Sequence, residues 1–424
     1  MFRMSRRTRT LKKRRVRAPR AVIAVAAVAT AAALAAAGCG SSSGTGASGT
    51  SPIVACGDLA LSGPYAQIGQ TDNWGAAAFF KHVDATGGIL GHKVTYITLN
   101  NNSSASQSEL IARKCILTDH ASFIIGPESG ADTESALPIA ISYHTILISL
   151  SSGWQTNGYP SSELNSWGFP GFYDVFYNDQ LASVQQLIVP RHYTRVALLE
   201  DNCGSVCLAN KGTVQSLAQK DHFQLVSTQI DQVGATDVTP QVLAMLAAKP
   251  QIILFGLVPG TDSITAIRAI RAQDPTIPIS ECSACELPSF ITAAGGPSVM
   301  KNIYVLGSME NWLTAAQHGT GSQEQQTAAG LKAYFAGMRA AGYNSDNQLD
   351  NSQEGWDAGL EVQWAIKSAG TTNETAVMHK LQHLDINTLG IVWARTPSNY
   401  ENISQVLAAM ETINADGSAS LYTG

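Results

Sequence analysis

Two short patterns near the amino terminus spell out chemistry. Gly40-Ser-Ser42-Ser-Gly44 matches the nucleophile elbow, in which a strand-to-helix turn lifts a serine hydroxyl for attack. Gly44-Thr-Gly46-Ala-Ser-Gly49 matches the dinucleotide loop, whose glycines let the backbone approach a pyrophosphate. Each chemistry needs a strand before the motif and a helix after it. Residues 39–51 are Gly, Ser, Thr and Ala with the single Cys39, a composition that buries no core and behaves as a flexible tether. Both patterns are products of that composition. The nine histidines hold no His-Glu-x-x-His zinc motif. Neither a catalytic residue, a cofactor nor a metal is expected.

What surrounds the tether explains it better. Ten of the 27 Lys and Arg fall in the first 20 residues, with no Asp or Glu among them, and Ala21 to Gly38 is uncharged and mostly Ala and Val. Basic, apolar and small residues in that order make a secretory signal. A retained membrane anchor stays open, because the apolar run approaches about 20 residues. Both readings place the body outside the cytoplasm. Cut before Cys39, the chain keeps 17 basic against 32 acidic residues, a formal charge of −15. Such a body repels a polyanion, which argues against a nucleic-acid arm.

Six cysteines follow Cys39: Cys56, Cys115, Cys203, Cys207, Cys282 and Cys285. An even number in an exported chain suggests disulfides, with fifteen possible connectivities. A zinc site from Cys203-x3-Cys207 and Cys282-x2-Cys285 is the rival, disfavoured by an oxidising compartment.

A chain of 424 residues suits two cores. Ile53–Leu59, Lys93–Leu99, Ser122–Ile125 and Thr145–Ser149 read as strands, separated by amphipathic helices at Asp72–Ala85 and Gln107–Asp119. The pattern restarts with strands at Arg195–Leu199, Phe223–Ser227, Gln251–Phe255, Ile277–Ile279 and Asn302–Leu306. Helices are expected at Lys211–Gln219, Thr261–Gln273, Gln323–Ala341 and Asn351–Ala369. Alternating strand and helix predicts an α/β protein of two parallel, doubly wound sheets.

Ligands of such sheets bind beyond the carboxyl ends of the strands. In the first half those loops hold Tyr65, Ser129, Gly130, Ser151, Ser152, Gly153 and Trp154, with hydroxyls and glycines and no Lys or Arg. In the second half they hold Asp201, Cys203, Val258 and Glu281. Free N–H groups and hydroxyls of the first half suit an acceptor group of a small ligand, and Asp201 or Glu281 suits a donor or cation. A phosphorylated ligand finds no guanidinium fork. Turn and N-cap chemistry accounts for many of these serines and glycines by itself, and Trp74, inside a helix, is expected to pack.

Leu61-Ser-Gly-Pro-Tyr-Ala-Gln-Ile-Gly69, Gly75-Ala-Ala77, Asp84-Ala-Thr-Gly-Gly-Ile-Leu-Gly91 and Ile124-Ile-Gly-Pro127 strongly resemble the start of the leucine/isoleucine/valine-binding proteins. These are extracytoplasmic solute-binding subunits of ABC transporters. The likeness continues through Val196–Asp201 and Gln251–Gly256 to Trp356-Asp-Ala358, and Ala36-Ala-Gly38-Cys39 resembles a lipobox whose usual leucine is Ala. The resemblance implies the type I periplasmic binding protein fold, two lobes joined by a three-stranded hinge. It divides the chain into a signal at 1–38, a tether at 39–51, lobe one at 52–173 plus 306–389, and lobe two at 174–305 plus 390–424. It implies lipidation of Cys39 and anchoring at the outer face of the cell membrane. In relatives that bind amino acids, a serine and an Ala-x-Thr hold the ligand carboxylate; they fall here on Gly130, beside Ser129, and on Ser151-Ser152-Gly153. The acid that holds the ammonium aligns with Glu281, and an aromatic is replaced by Cys203. Two departures in the carboxylate pocket argue against a branched-chain amino acid and leave amides, aromatic acids and other small polar solutes open.

The expected function is therefore capture of a small solute by a monomer and its delivery to permease subunits. A sensor on the same fold, working through a separate partner, is the alternative, and a secreted hydrolase a distant third.

Overall fold

The computed structural model describes residues 50–63, 65–151, 167–171, 180–202, 205–232, 234–257, 261–281, 288–345, 348–349, 352–400, 402–407 and 409–422. The expected signal, Cys39, Ser152, Gly153, Trp154, Cys203, Val258, Cys282 and Cys285 lie outside them. So do the side chains of Cys207 and Glu281.

Five short apolar runs make the first sheet: β1 (Ile53–Leu59), β2 (Val94–Asn100), β3 (Phe123–Ile125), β4 (Ile146–Ser149) and β5 (Gly168–Pro170). All neighbours pair in parallel, in the order β2-β1-β3-β4-β5. β1, β3 and β4 are buried along nearly their whole length, as strands covered on both faces must be. The covering helices are α1 (Ala66–Ala85), α2 (Ala105–Leu117) and α3 (Gly130–Ser142). Cys56 of β1 is bonded to Cys115 of α2, both fully buried.

The second sheet repeats the plan. Parallel strands β6 (Arg195–Asp201), β7 (Gln224–Asp231), β8 (Ile252–Gly256), β9 (Ile279–Glu281) and β10 (Ile303–Leu306) run in the order β7-β6-β8-β9-β10. Between them lie α4 (Ser205–Lys220), α5 (Thr239–Ala247), α6 (Thr261–Gln273) and α7 (Pro288–Ala294). Each sheet places its first strand second from the edge, so the connections reverse direction between β1 and β3 and again between β6 and β8. Crevices open at such points.

After β10 the chain returns to the first sheet through α8 (Met309–His318), α9 (Ser322–Ala341), α10 (Gln353–Ala369) and α11 (Glu374–Leu381). α10 packs along α1 backbone to backbone: a Cβ on Gly75 would lie 1.9 Å from the Ser352 carbonyl, and one on Gly355 1.9 Å from that of Asp72. The Gly75-Ala-Ala77 and Trp356-Asp-Ala358 motifs are the two sides of this contact, and Trp356 sits edge-on to Phe79 and Tyr334 at 5.2 and 5.3 Å. Trp74 packs, tilted on Tyr343 at 5.8 Å.

A small antiparallel sheet follows, β11 (Asp385–Thr388), β12 (Ile391–Ala394) and β13 (Ile403–Val406). Arg395, just past β12, is fully buried and makes a two-pronged ion pair with Glu361 of α10, at 2.9 Å on each side. Its guanidinium also reaches the Pro170 carbonyl and lies 4.2 Å over the Trp393 ring. Then β14 (Met410–Ile413) joins β10 antiparallel, and β15 (Ala419–Leu421) closes the second sheet. The chain thus crosses between the sheets three times: after β5, after β10 and after β13.

Candidate functional site

At the carboxyl edge of the first sheet, the loops after β1 and β2 are stitched together. The Leu61 amide donates to Asn100 Oδ1 (2.9 Å), Ser62 Oγ to Asn102 Oδ1 (2.7 Å), and the Tyr65 amide to Ser103 Oγ (3.1 Å). Hydroxyls and amides expected to face a ligand therefore serve largely to hold one another. They present Tyr65 at the start of α1 with its side chain 44% exposed.

The loop between β3 and α3 carries the other candidates. Ser129 is the N-cap of α3, its hydroxyl accepting from the Asp132 amide at 3.1 Å. That bond satisfies a helix-end donor, and the residue reads as a cap before anything else. Gly130 opens the helix, and a Cβ there would lie 3.8 Å from Ser151 Oγ. Ser151 is buried, its amide donating to Ser149 Oγ (3.1 Å), which in turn pairs with Thr133 Oγ1 (2.8 Å). Gly130 and Ser151, 21 residues apart in the chain, are in fact brought together.

Carboxyl groups beside this loop went unnoticed in the pattern of hydroxyls. Both oxygens of Glu128 accept from the Ala60 amide (3.0 and 3.1 Å), tying the loop after β3 to the loop after β1. Burial pushes this carboxyl up to about 8. Asp58, the next-to-last residue of β1, is fully buried and pushed up to about 7 by burial, with one oxygen accepting from Ser108 Oγ at 3.2 Å. Asp132 in the first turn of α3 is raised by burial as well. Glu128 was visible within Gly126–Ala131, and a lone acid directly after a buried strand was the signal.

At the carboxyl edge of the second sheet, Glu200 and Asp201 end β6, each 1% exposed. Asn210 of α4 donates to Glu200 Oε2 at 3.1 Å. Asp201 is thus a buried strand-end acid where a loop residue was expected. Gln180 Nε2 donates to the Phe255 carbonyl at 2.8 Å, and Ser183 Oγ lies 2.5 Å from Ser280 Oγ. Glu281 ends β9, next to Ser280.

His379 and His383 stand four apart, the spacing that puts two side chains on one face of a helix. α11 ends at Leu381, between them, and His379 Nδ1 lies 3.2 Å from Gln382 Oε1. Among the described residues, no group of three or more His, Cys, Asp or Glu is arranged to hold a metal, and no helix is long and apolar enough to cross a membrane.

A family model described as periplasmic binding protein matches residues 59–418. No curated protein matches the chain. Among solved structures, an extracellular ligand-binding receptor from Rhodopseudomonas palustris HaA2 is similar with a TM-score of 0.67 at 19% identity, over 88% of this chain and 99% of that one. A branched-chain amino acid transporter substrate-binding protein from Streptococcus pneumoniae, in complex with isoleucine, is similar with a TM-score of 0.60 at 19% identity, over 88% and 99%. A leucine-binding protein from Thermotoga maritima gives 0.62 at 14% identity, over 88% and 98%.

Proposed function

This chain belongs to the periplasmic binding protein family, and from that premise we propose that it captures a small polar solute between its two sheets and hands it unchanged to the permease of an ABC importer. The meeting of Gly130 and Ser151 at the carboxyl edge of the first sheet carries the reading. The loop after β3 and the end of β4 converge there, where a Cβ at position 130 would lie 3.8 Å from Ser151 Oγ.

Closure of the hinge brings the second edge, with Glu281 and the residues around Asp201, onto the other side of the solute. Such closure requires only that the solute bind the closed arrangement better than the open one. Amides, aromatic acids and other small polar solutes suit an edge where Gly130 stands in place of the relatives' serine.

Lobe one comprises 52–173 plus 306 to about the third crossing in this proposal. β12 pairs with β11, β13 pairs with β12 and Arg395 reaches Glu361, which supports a boundary at 407–409 in place of 389/390. The protein works as a monomer, held at the outer face of the cell membrane by a lipid on Cys39.

A thermal-shift screen against amino acids, amides, aromatic acids, ureas and sugars tests capture. A specific solute at 100 times its dissociation constant adds about 2.7 kcal/mol of stability. A flat response across the whole panel would sink the proposal.

A further inference from the structure

The second and third crossings are joined by one buried side chain. Glu411, in β14, lies opposite Val305 of β10 and is 0% exposed. Its Oε1 reaches back over the crossing after β10, accepting from the Ser308 amide (2.8 Å), Ser308 Oγ (3.4 Å) and Asn311 Nδ2 (2.5 Å). Ser308 is the N-cap of α8 and Asn311 lies in its first turn. A carboxylate is favoured at that end of a helix by the unpaired N–H groups and the macrodipole. Gly307 leaves the room: a Cβ there would lie 2.5 Å from Glu411 Oε1.

The backbone adds a second tie, the Gly307 amide donating to the Ala409 carbonyl at 2.7 Å. On the side of the small antiparallel sheet, the Leu407 amide donates to the Gly390 carbonyl at 2.8 Å, in the turn between β11 and β12. The third crossing is therefore fastened at both ends, with one residue between Leu407 and Ala409.

We infer that Glu411 is a positioning residue for capture: it fastens the crossings after β10 and β13 into a single strap and so fixes the axis about which the lobes close. Two crossings fastened together bend as one, which limits the lobes to rotation about that strap and suppresses independent twisting. The crossing after β5 has no part in this tie among the described residues. The inference rests on the two-lobed, hinged reading of the fold but on no particular solute.

The test measures the distance distribution between the lobes in the ligand-free protein. Spin labels are carried on p-acetylphenylalanine at position 110 of α2 and position 243 of α5, where Leu110 and Leu243 are 58% and 51% exposed, so that the cysteines stay untouched. The unsubstituted chain should give one narrow distribution. Glu411→Leu, which removes the acceptor on which three donors converge, should at least double its width. Asn311→Ala, which removes one donor and leaves the fold intact, should give an intermediate width. A loss of thermal stability in these variants with an unchanged distribution would show that Glu411 merely holds α8, and would overturn the inference. So would a broad distribution in the unsubstituted chain, a result that leaves solute capture standing. Absence of any bound solute in the screen would not alter the widths, so the two proposals fail separately.

Discussion

The two sheets share one strand order and treat their carboxyl groups differently. Around the first, Asp58 and Glu361 are pushed up to about 7, Glu128 and Glu354 to about 8, and Asp72 and Asp357 well above their ordinary value, in each case chiefly by burial. Around the second, Asp274 loses some ground to burial, yet amides of Thr276 and Ile277 and the Thr276 hydroxyl hold it below its ordinary value. Asp237, fully exposed, is lowered by the Thr239 hydroxyl and amide. The same architecture therefore stores protons in one region and sheds them in the other. The difference follows from local packing: α10 presses on α1 through glycines and closes water out over Asp72, whereas Asp237 and Asp274 of the second region sit in turns with N–H donors at hand.

The sharpest way to break this contrast is Arg395→Met. It leaves Glu361 buried without its cation, and breaking a buried pair from one side costs about 3–5 kcal/mol. Urea unfolding should record that loss, and hydrogen exchange should show it in α10 and β11–β13 while β6 and β8 stay protected. Uniform loss across both sheets would mean that the two regions are one cooperative unit.

Replacing Cys56 and Cys115 together by Ser comes next. The bond closes a loop of 59 residues within the first region, and its removal should cost about 2–4 kcal/mol.

The pH dependence has a definite sign. The carboxyls raised to about 7 or 8 keep their protons in the native state after the unfolded chain has released them, so their contribution to stability is fully present below about pH 4 and is lost as pH rises through about 7 to 8. Each contributes a slope of about 1.4 kcal/mol per pH unit within its window. Glu128→Gln should flatten the profile by one such group. An unchanged profile would show that Glu128 ionises normally.

The smallest effect expected is that of Ser129→Ala. Loss of the cap costs about 1 kcal/mol, and solute affinity should be unaltered if the hydroxyl belongs to the helix.

Much of this was legible in the chain. Ile53–Leu59 and Thr261–Gln273 stand where apolar runs and helical spacing put them, because each is buried in the way its pattern implies. Helix α3 was not foreseen, since it leaves a Gly-Ser loop directly and carries Pro138. The Cys56–Cys115 pair could not be picked from fifteen connectivities, because pairing depends on α2 crossing back over β1. The strands β11–β13 are short and mixed in polarity, and what holds Arg395 there is a glutamate 34 residues earlier on another element. Site residues were found where loop chemistry is local, as at Gly130 and Ser151. They were missed where a side chain reaches between loops, as Glu128 does to Ala60 across 68 residues.

Small-angle scattering of the purified protein, alone and with whichever of the screened amino acids, amides, aromatic acids, ureas or sugars stabilises it most, tests solute capture by closure most directly. The account predicts a smaller radius of gyration in the presence of that solute, with the solute recovered chemically unchanged. Binding without compaction, or recovery of a converted product, would contradict it.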